Sequence, residues 1–78
     1  MDSIKIAKNL YVPVDNIEFY VEYVSNFIKK RVRDMKTEKK VYDFTCGKRI
    51  ASVVFLKSGY VILTPVNIDT IHNRFMNV

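Results

Sequence analysis

Nine of the chain's thirteen lysines and arginines fall between Lys29 and Arg49: Lys29, Lys30, Arg31, Arg33, Lys36, Lys39, Lys40, Lys48 and Arg49. Only Asp34, Glu38 and Asp43 oppose them, so this stretch carries +6 in a chain whose net charge is +5. The remainder is nearly neutral. A charge this localised is a face, and its natural partner is a polyanion, nucleic acid foremost. Two groupings within it have the spacing to grip phosphate. Lys29, Arg33, Lys36 and Lys40 follow one another at intervals of four, three and four, which lines one solvent-facing ridge of a helix. Any surface helix presents a charged outer face, but such a face normally mixes signs, and here only Asp34 and Glu38 interrupt the positives. The second grouping, Thr45-Cys46-Gly47-Lys48-Arg49, sets two cations beside a glycine at an expected hairpin tip. An arginine there can contact phosphate or guanine bidentately. An ordinary polar turn is the competing reading.

Other chemistries lack their parts. Cys46 is the lone cysteine and His72 the lone histidine, so no tetrahedral zinc set can be assembled. Cys46 reads as a small apolar filler at a strand end. The carboxylates are scattered, and no glycine-rich phosphate loop or nucleophile motif is present. Neither an enzyme nor a cofactor is expected. Membrane binding is disfavoured by a narrow apolar stripe and the absence of Trp. The aromatics Tyr11, Phe19, Tyr20, Tyr23, Tyr42, Phe44, Phe55 and Tyr60 fall in expected strands. A base-stacking platform is one reading of them. Core and subunit interface is the better one, because most follow the inward alternation.

These side chains must be held by the folding of 78 residues, enough for one domain with a modest core. The N-terminus lacks the charged start and apolar run of a signal peptide, and no apolar run approaches the ~20 residues needed to span a bilayer. With a single cysteine, this points to a cytoplasmic protein. Ile4 to Ala7 and Leu10 to Val14 are short strands, ended by turn-forming Pro13 and Asp15-Asn16. Ile17, Phe19, Val21 and Tyr23 alternate with Glu18, Tyr20 and Glu22, the pattern of a half-buried strand. Tyr20 and Val24 leave its outer side apolar. At Ser25-Asn26, both good caps, the period turns helical, and Ile28, Val32 and Met35 predict a helix over about Phe27 to Lys39. Val41 to Cys46, Ile50 to Leu56 and Tyr60 to Thr64 return to strand composition. Turns at Gly47-Lys48 and Ser58-Gly59 make them a three-stranded antiparallel meander. Asn67 caps a closing helix with Ile68, Ile71 and Phe75 inward. The expected architecture is a small single α+β domain over 1–78: N-terminal strands, a central helix, the meander and a short C-terminal helix.

At the expected hairpin and its sequel the chain resembles the RemA-type family of bacterial extracellular-matrix regulators, with its RemB-type sister branch. The family pattern is an Ile-Asp-Ala-Thr-Tyr-Gly-Arg-Arg stretch, an apolar strand, a Val-Ile-Leu-Ser strand, and a helix of Pro-Glu-Thr-(Ile/Val)…Arg-Leu type. This chain has Tyr42-Asp43-Phe44-Thr45-Cys46-Gly47-Lys48-Arg49, Ser52-Val53-Val54, Val61-Ile62-Leu63-Thr64, and Val66-Asn67-Ile68-Asp69-Thr70-Ile71…Arg74-Phe75. The match runs from about Leu10 to Phe75. It implies a cytoplasmic protein that binds double-stranded DNA as a ring of identical subunits, each contributing a few basic side chains. Lys48 and Arg49 stand where the family has paired arginines. Asn16 and Ala51 stand where it has two more, and Lys48 keeps the charge without the bidentate fork. The cation-rich helix offers compensation.

The reading that follows is a DNA-binding transcriptional regulator acting as a ring-like homo-oligomer. Lys48, Arg49, Lys29, Arg33 and Lys36 would contact the DNA backbone, with no membrane and no small-molecule substrate involved. Repetition suits weak modules, since linking shallow sites multiplies their affinity. The alternative is a structural or protein-interaction module whose basic face docks an acidic protein.

Overall fold

The structure, a computed structural model, describes residues 2–78. Two strands open the chain, β1 (Ser3–Ala7) and β2 (Leu10–Pro13), paired antiparallel. Asn9 makes their connection with φ of 62°, a left-handed conformation that asparagine tolerates. A 3-10 turn at Val14–Asn16 leads to β3 (Ile17–Glu22) and then α1 (Asn26–Thr37). After α1 come β4 (Val41–Asp43), β5 (Ser52–Leu56), β6 (Val61–Thr64) and α2 (Ile68–Met76).

The second sheet has four strands in the order β3-β5-β6-β4, and apolar side chains cover both its faces. Val32 and Met35 of α1 pack on one face against Val53, Phe55, Val61 and Leu63. Ile4, Ile6 and Val12 of the β1–β2 hairpin and Ile71 of α2 pack on the other, against Ile17, Val54 and Ile62. Burial on both faces is why β5 and β6 read as continuous apolar runs rather than as an alternation. Two buried hydroxyls close the layers. Thr64 Oγ1 donates to the Ile6 carbonyl at 2.7 Å, and Ser52 Oγ donates to the Val66 carbonyl at 2.8 Å. Arg74 Nη1 reaches the Lys5 carbonyl at 2.8 Å and fastens α2 to β1.

The α+β class, the N-terminal strands and both helices agree with the sequence reading, and so do the caps. Ser25 Oγ accepts from the Ile28 amide and Asn67 Oδ1 from that of Asp69. The meander does not. β5 and β6 form the expected antiparallel hairpin, turned by Gly59 at φ 94°, but β4 pairs with β6 and runs parallel to it. β6 is buried at every position and takes the interior of the sheet, whereas Tyr42 and Asp43 are exposed and suit an edge. The chain between β4 and β5 must therefore pass β6, about 10 Å at ordinary strand spacing. No tight hairpin reaches that far. The turn at Cys46-Gly47 exists, but inside a longer loop over residues 44–51.

The phase of β3 also changes within the strand. Ile17 pairs with Leu56 and Phe19 with Phe55, an irregularity that accommodates Glu18 as a bulge. Ile17 and Tyr20 thus share the face toward α2, and Val21 and Tyr23 turn toward α1. Tyr20 is not an outer position free for subunit contacts. Its hydroxyl is hydrogen-bonded to His72 Nδ1 at 2.9 Å, and its ring lies 5.6 Å from that of Phe75.

Candidate nucleic-acid interface

α1 begins where Ser25 caps it and buries Val32 and Met35, with Ile28 half-buried beside them, so its other positions face outward. Three of the expected site residues, Lys29, Arg33 and Lys36, line one depression of about 450 Å³ together with Tyr23, Asn26 and Val32. Lys29 Nζ sits 5.7 Å from the centre of the Tyr23 ring, a cation–π distance that orients the ammonium. Tyr23 was not legible as part of this site, because its place in the β3 alternation marks it as core. The ridge stops at Lys36. The chain reverses at Lys39, with φ of 60°, and Lys40 leads into the sheet, its carbonyl accepting from Val61. Lys40 therefore leaves the helical row.

Lys48 and Arg49 are exposed on the loop between β4 and β5. The loop is fastened on both sides. Phe44 donates to the Leu63 carbonyl, and Ala51 donates to Thr64 while accepting from Tyr23. Between these anchors, Asp43 Oδ1 accepts from the Thr45 amide at 2.9 Å and the Thr45 hydroxyl at 2.6 Å. These hydrogen bonds hold the Asp43 carboxyl below its ordinary range against a small opposing cost of burial, and nearby Lys36 adds to the lowering. Lys48 then donates to the Thr45 carbonyl at 2.9 Å, closing a turn with φ of 53° at Cys46 and 82° at Gly47. Positive φ at both central positions is the type I′ geometry, in which glycine is unstrained and cysteine is not. Cys46 is exposed in that turn rather than filling a gap in the core.

Arg49 does not share the α1 depression. It lines another, with Glu22, Ala51, Pro65 and Asn67, so an acid stands beside it. The two depressions flank the C-terminal end of β3, with Glu22 in one and its neighbour Tyr23 in the other. The cations are thus arranged as a cluster of three on α1 and a separate pair on the loop. Both groups are open to solvent, a form suited to phosphate contacts along a backbone.

The aromatics depart from the inward expectation: Tyr11 is 63 %, Tyr42 48 %, Phe19 42 % and Phe44 36 % exposed. Tyr11, Tyr42 and Phe44 line a shallow apolar groove with Leu10, Pro13 and Leu56, and no lysine or arginine joins them. Phe19 stacks on Phe55 at 4.5 Å and Tyr42 on Tyr60 at 5.2 Å. Among the described residues no group of three or more His, Cys, Asp and Glu could hold a metal. No helix among the described residues is long and apolar enough to cross a membrane.

Comparison with known proteins bears on this arrangement. The family model described as RemA-like, extracellular matrix regulatory protein A-like, matches residues 3–75. A protein of Synechococcus elongatus is 31 % identical over 67 residues, covering 86 % of this chain and 77 % of its own length. One from Cyanothece is 33 % identical over 52 residues, 67 % of this chain and 57 % of its own. One from Leptospira biflexa is 35 % identical over 46 residues, 58 % of this chain and 49 % of its own. The names of all three assign them, by inference, a regulatory role and nothing finer.

Proposed function

The chain belongs to the RemA-like family, and on that premise we propose that it is a DNA-binding transcriptional regulator acting as a homo-oligomeric ring. The observation that carries the DNA reading is the segregation of charge. Lys29, Arg33 and Lys36 line one open depression, while Lys48 and Arg49 project from a loop fastened to the same sheet. Each subunit then offers a few phosphate contacts and no deep reading head. Affinity comes from repeating that shallow face around an assembly. An extracellular-matrix or biofilm gene programme is the target class that the family suggests.

Assembly is supported by the apolar surface that the fold leaves uncovered. Phe27 and Val24, 77 % and 56 % exposed, stand where β3 passes into α1. The aromatic groove of Tyr11, Tyr42 and Phe44 lies beside β4. Neither Phe27 nor Val24 lines that groove, so these are two different patches. A contact of one patch with the other is head-to-tail, and such contacts form a ring where the rotation from one subunit to the next closes.

The test is binding of a duplex to the protein across a salt series. Log affinity should fall linearly with log salt, with a slope of about −0.9 per phosphate contacted. No binding at low ionic strength would overturn the DNA reading and favour docking of the basic face on an acidic protein.

A further inference from the structure

The loop that carries Lys48 and Arg49 has an acid at its base, which simple electrostatics would count against a DNA site. Asp43 is the last residue of β4 and is held in the sheet by its parallel pairing opposite Leu63. Its Oδ1 receives both the amide and the hydroxyl of Thr45, at 2.9 and 2.6 Å. Thr45 is buried, at 4 % exposure, in a stretch whose other residues from Tyr42 to Arg49 are exposed. The turn that follows hangs from Thr45, because the Lys48 amide donates to the Thr45 carbonyl. That turn carries a non-glycine residue at φ 53°, a conformation that persists only where its surroundings enforce it. The line of support runs from the sheet to Asp43, from Asp43 to Thr45, and from Thr45 to Lys48 and Arg49.

We propose that Asp43 is a positioning residue for DNA binding, whose carboxylate holds the Thr45–Lys48 turn so that Lys48 and Arg49 are presented together. The inference rests on the DNA reading and deepens it. Removing a carboxylate from a basic face should strengthen its attraction for a polyanion if charge alone mattered. Under positioning, Asp43→Ala weakens binding instead, since a disordered loop must be ordered at the expense of affinity. The expected loss is about tenfold or more, the scale of one charge-assisted contact. Asp43→Asn, which keeps an acceptor oxygen but not the charge, falls between Asp43→Ala and the native protein.

The experiment measures duplex binding by fluorescence anisotropy over a salt series for the native protein, Asp43→Ala, Asp43→Asn, Lys48→Ala/Arg49→Ala, and that pair combined with Asp43→Ala. Positioning predicts weaker binding by Asp43→Ala, a shallower salt slope, and no further loss when it is added to the Lys48→Ala/Arg49→Ala background. Equal or tighter binding by Asp43→Ala overturns the proposal, and so does a full loss in that background. Amide hydrogen exchange supplies an arm that needs no DNA. The Lys48 amide should exchange about tenfold or more faster in Asp43→Ala, and unchanged exchange overturns the proposal whatever the DNA result. Native protein that binds no duplex would instead overturn the DNA reading, and with it the role proposed for Asp43. Should Asp43→Ala fail to fold, Thr45→Val removes the hydroxyl donor at similar volume and must shift binding and exchange in the same directions.

Discussion

Asp43 accepts two hydrogen bonds from Thr45 at the base of the loop that carries Lys48 and Arg49. Hydrogen bonds to the charged form favour it, so the Asp43 carboxyl titrates below the ordinary aspartate value of about 3.9. The native state therefore binds this proton less readily than the unfolded chain does. The contribution to stability is fully present above the unfolded value and is lost as pH falls through the lowered one. At neutral pH the clamp is intact, and DNA binding should show no dependence on pH from this group. The check is a carboxyl NMR titration of the native protein and of Thr45→Val. The largest cause of the lowering is the Thr45 hydroxyl, so the variant's Asp43 midpoint should move up toward the ordinary value. An unmoved midpoint would assign the shift to the amide and to Lys36 instead.

At the scale of elements, α1 ends in a way that its sequence does not announce. Lys40 donates to the Met35 carbonyl and Lys39 to that of Lys36, the paired bonds of a Schellman motif. Glycine usually fills its left-handed position, but here Lys39 does, at φ 60°. A side chain in that conformation costs roughly 1 kcal/mol relative to glycine. Lys39→Gly should therefore raise unfolding stability by about 0.5–1 kcal/mol in a denaturant titration. DNA affinity should change little, since Lys39 stands outside the α1 depression. The helix itself was legible because its information is local: Ser25 at the cap, and Ile28, Val32 and Met35 at helical spacing. The partner of β4 was not. Alternation identifies a strand, but whether it joins β5 or β6 depends on which neighbour is more deeply buried, a comparison across twenty residues of chain. The reversal of phase at Glu18 was hidden for the same reason, since a bulge is defined by the opposing strand. The cation ridge was legible from Lys29 to Lys36. Tyr23 and Asp43 were not, because each is tied to the cations by a contact that only the folded chain makes.

For the molecule as a whole, the proposed function gives the charged face and the apolar patches different jobs, which should be separable by mutation. Phe27 and Val24 lie on the β3 side of the sheet, and the Tyr11–Tyr42–Phe44 groove lies on the β4 side. If a Phe27 side chain seats in the groove of the next subunit, Phe27→Asp and Tyr42→Asp should each reduce the assembly to monomers in light scattering. Either variant places a charge in the contact, and neither side chain is buried within the subunit, so folding is retained. Mixing them is the sharper measurement. Each variant keeps the patch that the other has lost, so one intact contact can form between them and none can propagate from it. A head-to-tail interface thus predicts dimers in the mixture and monomers in each variant alone. A two-fold interface that used both patches at once would make the native protein itself a dimer, because each copy's Phe27 and groove would be satisfied by the same neighbour. The same mixed dimers should bind duplex more weakly than the native assembly although every cation is present, because they repeat the shallow basic face twice rather than around a closed ring.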